Sequence, residues 1–227
     1  MSYKILVMSC DKNQDLWLPF HLCIEKYWER HPEIIYSTES VVNPYYKTIC
    51  RNYPIEKWTK RVYETVKDLD CDNIILMVDD IFIRECVSNT FISSLEEYIG
   101  GVIGGINFEK SFDPSDIPLN KHICIRNQYG KWKTSVMFQM WNKKAMLDIF
   151  NCELTPWDFE SKNDSKDYVF LISRNGDFVN WGYNDRKWFG IRKGKWCKEV
   201  KEFFDSENIK IDYSIRGFYE WKSMHVH

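Results

Sequence analysis

Residues 74–80 read Ile74-Ile75-Leu76-Met77-Val78-Asp79-Asp80. Five apolar side chains in a row, with no polar alternation, are the pattern of a strand buried on both faces of a parallel sheet. Two carboxylates follow at its C-terminal end. In open α/β sheets ligands bind beyond the carboxyl ends of the strands. Adjacent carboxylates repel, at a cost of about 3 kcal/mol for a separation of ~5 Å and an effective dielectric of ~20. A divalent cation removes that cost, and oxygen ligands suit Mg²⁺ or Mn²⁺. Asp79 and Asp80 are therefore candidate metal ligands at a phosphate site. The plainer reading is a solvated acidic turn.

The surrounding sequence places this strand in an α/β fold. Residues 3–9 form an apolar first strand, and Ser9, Cys10, Asp11 and Lys12 make the loop at its carboxyl end. Asp15 is a candidate N-cap, with Pro19 expected in the first turn of a helix that Pro32 ends. Residues 33–38 read as a strand, 39–53 as a loop and 55–69 as a helix. This β-α-β-α-β order is the signature of a parallel sheet with right-handed crossovers. Further on, 81–86 is a short apolar extension, 89–99 a helix, 102–106 a strand and 108–120 a long loop. Strands are expected at 122–126 and 133–140 around a turn at 127–131, then a helix at 142–150. Thr155-Pro156-Trp157-Asp158 starts another helix, with Thr155 as cap. Residues 168–173 and 178–181 are strand-like. No repeat or linker divides the chain, so residues 1–227 read as a single domain.

Composition limits the function. The 227 residues suffice for one sizeable core. A net charge of −2 argues against non-specific nucleic-acid binding. Aromatics reach 16%, which suits a surface where rings stack on sugars or bases, although Trp also fills cores. The 8 cysteines form no C-x-x-C pair, so zinc is not expected. With no signal segment at the start and no membrane-length apolar run, the chain reads as cytoplasmic with free thiols.

Four constellations could carry chemistry. No G-x-G-x-x-G or G-x-x-x-x-G-K-[ST] follows the first strand, so the Ser9–Lys12 loop is neither a dinucleotide nor a Walker-type site. Arg61, on the helix before the central strand, could fork onto a phosphate; alternatively it is an ordinary exposed arginine. In Trp157-Asp158-Phe159-Glu160 both acids are candidate catalytic groups. Capping already accounts for Asp158, whereas Glu160 lies beyond the capping positions and could be a general base. Residues 186–201 hold seven basic residues against one acid. Arg192 and Lys195 could hold a diphosphate, or the segment with Trp188, Phe189 and Trp196 could rest on an anionic leaflet.

Together these pieces resemble a known family. Ser9–Phe20 (SCDKNQDLWLPF), Trp58-x-x-Arg61, the strand into Asp79-Asp80, Ser135-x-x-x-Gln139-x-Trp141, WDFE at 157–160 and GKW at 194–196 follow the order found in bacterial glycosyltransferases of capsular polysaccharide and lipopolysaccharide O-antigen synthesis. The resemblance implies a GT-A-like, Rossmann-type, mostly parallel sheet flanked by helices. The nucleotide-binding half would be about 1–106 and the acceptor-side half about 107–227. It implies a nucleotide-sugar donor, usually UDP-linked, a divalent metal (Mn²⁺ or Mg²⁺), and a glycan or lipid-linked acceptor with peripheral contact at the cytoplasmic membrane face. By the same likeness Asp11 and Arg61 contact the nucleotide and Asp79 and Asp80 stand where the family's acids sit; with Asp79, the loop residues Ser9 and Lys12 and the basic Arg192 and Lys195 complete the donor-binding candidates. Gln139, Trp141 and Trp157 face the acceptor, and Glu160 is the base of an inverting transfer. A spaced Asp-x-Asp is absent, since Ile81 follows Asp80; metal ligation would then use one carboxylate or be dispensable. The alternatives are a nucleotidyltransferase on the same fold, or a glycan-binding protein without catalysis.

Overall fold

The computed structural model describes residues 3–129, 134–162, 165, 167–176, 178–179 and 190–220. In chain order the elements are β1 (Tyr3–Met8), α1 (Gln14–Tyr27), β2 (Ile34–Thr38), β3 (Lys47–Cys50), α2 (Trp58–Lys67), β4 (Asn73–Val78) and α3 (Asn89–Ser94). There follow β5 (Ile103–Lys110), β6 (Ile117–Pro118), β7 (Ile123–Ile125), β8 (Phe138–Asn142), α4 (Lys143–Phe150), α5 (Pro156–Lys162) and β9 (Val169–Ser173). A hairpin of β10 (Ile191–Arg192) and β11 (Lys195–Trp196) leads into α6 (Lys198–Ser206).

The main sheet runs β3-β2-β1-β4-β8-β5-β9-β7-β6. The strands β3, β2, β1 and β4 are parallel, as expected from the crossovers. Beyond β4 the sheet is mixed, because β8 runs antiparallel to both β4 and β5. Both faces are covered. On one, Ile5, Val7, Ile75 and Met77 pack with Leu16, Phe20 and Ile24 of α1 and with Val200 and Phe204 of α6. On the other, Leu6, Met8, Ile74 and Leu76 pack with Val62 and Val66 of α2, Met146 and Phe150 of α4 and Phe159 of α5. The uninterrupted apolar run in β4 is what a strand sandwiched between two cores requires.

Several boundaries differ from expectation. β3 and β6 lie inside stretches read as loops. β3 is an exposed or half-exposed edge strand with little apolar signal. β5 runs on to Lys110, through Asn107 and Glu109, which are polar yet buried. Asp15 is not a cap: α1 begins at Gln14, so Pro19 falls in its second turn. Residues 81–83 form no strand, but their side chains are buried in the first core. Parts of the expected turn at 127–131 and strand at 178–181 lie outside the described residues. All eight cysteines are free, and no helix among the described residues is long and apolar enough to cross a membrane.

Candidate active site

α1 and α2 lie on opposite faces of the sheet, which makes the carboxyl ends of β1 and β4 a switch point of the kind where such sheets bind ligands. Ser9 and Asp79 meet there. Asp79 is only 2% exposed. The Ser9 hydroxyl donates to its Oδ2, and Asn13 Nδ2 donates to its Oδ1 at 3.0 Å. Trp17 Nε1 in turn donates to Ser9 Oγ at 2.9 Å. Burial pushes the Asp79 carboxyl up to about 7; the neighbouring Asp80 charge adds to this, while the Ser9 and Asn13 bonds oppose it. Asp79 and Ser9 therefore do not face a donor or a metal as expected. They form an internal lock between the first loop and the central strand.

Asp80 differs. It is half-buried, and among the described residues no side chain donates a hydrogen bond to its carboxylate. Burial raises it to about 6, and the Arg216 guanidinium draws it down. No group of three or more His, Cys, Asp or Glu side chains suited to a metal occurs among the described residues. A metal site using both acids does not fit, because both Asp79 oxygens are engaged. Asp80 is the carboxylate that would hold a Mg²⁺-type ion here, were one bound.

The first loop is tied down from several sides. Asp11, expected on the nucleotide, accepts from the Ser40 hydroxyl at 2.6 Å and from the Ser40 and Val41 amides at 3.1 Å. Burial acts to raise its pKa, but these bonds outweigh it and leave the carboxyl below its usual range. Arg61 is likewise internal, at 3% exposure. It donates to the Ser9 carbonyl at 2.7 Å and to Glu39 Oε1 at 2.6 Å, and Glu39 Oε2 receives the Asp11 amide at 2.6 Å. Asp11 and Arg61 therefore shape the loop from beneath. Lys12 is exposed and remains available to a ligand.

On the other half of the same edge, Glu160 Oε1 accepts from the Val136 amide at 2.9 Å and from the Ser135 hydroxyl at 3.4 Å. Burial raises Glu160, partly offset by these bonds and by Arg126. Asp158 is used in capping: Thr155 Oγ1 donates to it at 2.7 Å and accepts its amide at 3.1 Å. That removes it from the catalytic candidates. Gln139 and Trp141 are fully buried, so neither presents an acceptor surface. The Trp141 ring is packed edge-on against Phe150 and Phe170, away from any sugar. Trp157 is 68% exposed and open to stacking.

The C-terminal region supplies groups that no sequence pattern marked. Arg216 forks onto Asp15 with two bonds of 2.6 Å, and also donates to Asn13 Oδ1 at 3.0 Å and the Lys12 carbonyl at 3.2 Å. It sits close enough to influence Asp80. The β10–β11 hairpin docks beside the acid turn through the Gly190 amide, which donates to the Asp80 carbonyl at 3.2 Å. Lys195 is exposed, while Arg192 is half-buried against the Tyr219 ring. Trp196, expected at a membrane surface, is fully buried against Phe82, Phe204 and Tyr213. Trp188 and Phe189 lie outside the described residues. A cavity of about 250 Å³ lined by Lys60, Tyr63, Glu64 and 150–153 contains none of these site residues.

No family model and no curated protein matches the sequence. Solved structures do resemble the fold. S. aureus TarS 1–349 aligns with a TM-score of 0.51 and 8% identity, over 76% of this chain and 58% of that one. The same fragment in complex with UDP aligns at 0.50 and 10% identity, over 76% and 57%. A cytidylyltransferase from Leptospira borgpetersenii aligns at 0.43 and 10% identity, over 98% and 100%. The chain spans 35% of the longer TarS chain. TarS is a glycosyltransferase, and the α/β sheet flanked by helices is the shared feature.

Proposed function

We propose that the chain is a glycosyltransferase. It moves a hexose from a UDP-linked donor to a glycan or lipid-linked acceptor of bacterial surface polysaccharide, with inversion at the anomeric carbon. The supporting observation is that Asp80 and Glu160 lie on one edge of the sheet. β4 and β5 are each antiparallel to β8, so their carboxyl ends coincide, two strand spacings or ~10 Å apart. The segment that pins Glu160 enters β8 between them. The UDP of the TarS complex supports the donor class.

In this reading the donor diphosphate lies against Asp80, with Arg216 and Lys195 offsetting charge on the leaving group. A divalent ion held by Asp80, when bound, supplies further positive charge there. Arg61 and Asp11 hold the loop beneath the nucleotide in shape. Glu160 receives the acceptor hydroxyl proton as the oxygen attacks, and Trp157 stacks on the acceptor. For a lipid-linked acceptor, the exposed Lys193 and Lys195 would face an anionic leaflet. Unchanged liposome binding after charge reversal at both removes that contact.

The test is a thermal-shift screen with UDP, GDP, CMP and ATP, with and without Mn²⁺, followed by UDP release from UDP-hexoses. Stabilisation by UDP that is lost in Asp80→Ala, with the fold retained, supports the reading. No stabilisation by any nucleotide overturns it, and pyrophosphate release from CTP would move the assignment to nucleotidyl transfer.

A further inference from the structure

Glu109, near the end of β5, belongs to a stretch read from sequence as loop, yet it is 8% exposed and among the described residues no hydrogen bond reaches its carboxylate. A buried carboxyl without a partner is costly to keep unless something else fills its valence. Its neighbours carry fully buried polar atoms without partners. Asn107 and Gln139 are cross-strand partners with no exposure; Asn107 Nδ2 and both Gln139 amide atoms have no hydrogen-bond partner, and neither does the buried Thr134 hydroxyl. Strand alternation puts Asn107 and Glu109 on one face, the face covered by α5.

The β5–β8 register links Glu109 to Glu160. Asn107 pairs with Gln139, and from that pair β5 runs on to Glu109 while the partner chain runs back through Met137. Met137 follows Val136, whose amide holds Glu160. The charged groups that act on Glu109 are Arg126 and Glu160, and Arg126 acts on Glu160 as well. Among the described residues one guanidinium thus faces two carboxylates, and two ionised carboxylates beside a single positive charge favour a proton on one of them.

We infer that Glu109 is a second acidic residue of the transfer site, sharing one proton with Glu160 and holding the acceptor hydroxyl between the two carboxyls. This rests on the sugar-transfer reading above. Hydroxyls both donate and accept, which suits a pair of carboxyls sharing a proton, whereas an anionic ligand would be repelled. In the step, the acceptor oxygen bonds to the anomeric carbon and its proton passes to the ionised member of the pair. The bond from that carbon to the phosphate oxygen breaks, and its electrons leave with the nucleoside diphosphate. The proton then exchanges with solvent. Burial pushes Glu109 up to about 7, with the Glu160 charge adding to the rise and Arg126 opposing it, consistent with a proton held near neutral pH.

The experiment joins a titration to a turnover assay on the full chain. Glutamate carboxyl-carbon NMR signals are followed against pH in wild type, Glu109→Gln and Glu160→Gln. Sharing predicts two coupled steps in wild type that collapse to one lower step in each variant. Independent titration of both acids in the ordinary range, unaffected by the other's substitution, overturns the proposal. In UDP release from UDP-hexoses, Glu109→Gln is expected to lower the rate by roughly a hundredfold with unchanged UDP affinity by calorimetry. It should also move the acid limb of the pH profile to lower pH. Full activity with an unmoved limb overturns the proposal too. A wild-type chain that binds no UDP counts against the donor reading alone, and the titration still decides the carboxyl pair.

Discussion

Asn13 donates its side-chain amide to Asp79 at 3.0 Å, joining the loop after β1 to the end of β4. The same asparagine accepts from Arg216 at 3.0 Å through its Oδ1. One small side chain thus couples the central strand, the first loop and the C-terminal segment. Its effect is to occupy Asp79 internally, whereas among the described residues no side chain donates to the Asp80 carboxylate.

Ser9→Ala removes a hydroxyl that donates to Asp79 and accepts from Trp17. A buried carboxylate and an indole N–H each lose a partner. The expected loss is about 1–3 kcal/mol, read from urea unfolding. A variant as stable as wild type would mean that the lock between loop and strand contributes nothing.

Arg61→Ala leaves Glu39 and the Ser9 carbonyl without their buried donor. With Glu39 partly exposed, the cost is about 1–3 kcal/mol. Arg61→Lys should recover only part of it, since an ammonium cannot reproduce the fork. Denaturation midpoints distinguish this from direct nucleotide contact, which would lower UDP affinity at unchanged stability.

Glu109 holds its proton up to about 7 in the folded chain, against 4.5 for the ordinary group. The folded state therefore binds more protons in that window. The associated stability is complete below about pH 4.5 and is lost as pH rises through about 7. Glu109→Gln cannot lose a proton, so it should match wild type at pH 4 and exceed it at pH 8 by a few kcal/mol. Melting temperatures across that range check this; a gap that does not grow with pH would place the carboxyl in an ordinary environment.

Gly190→Ala tests the seat of the acid turn. A Cβ there would stand 2.1 Å from the Phe82 ring and 2.7 Å from the Asp80 carbonyl. Such overlap forces the turn or the hairpin to move, at about 1–3 kcal/mol. Loss of UDP stabilisation beyond the loss of fold stability would show that Asp80 itself is displaced.

The sequence signalled what packing dictates and missed what pairing dictates. β1 and β4 stand out because both their faces are buried and Ile5–Met8 and Ile74–Val78 are apolar without interruption. β3 escaped notice because Lys47–Cys50 is an edge with little apolar signal. Arg61 and Asp11 were placed on the right loop, but their partners, Glu39 and Ser40, are set by tertiary contact that no local spacing encodes. Trp141 carries the aromatic character expected of a sugar platform, and the register of β8 turns it into the core. Arg216 belongs to a tail without periodicity, so nothing local predicted its reach to Asp15. Glu109 had a usable signal: an acid two residues after a buried Asn, continuing an apolar strand.

The Arg216 clamp has a consequence for how the protein is made. Residues 9–15 are made well before the guanidinium that fastens them, about two hundred positions on. The loop after β1 therefore goes without this clamp until residue 216 is in place, and a chain cut before that residue would lack it.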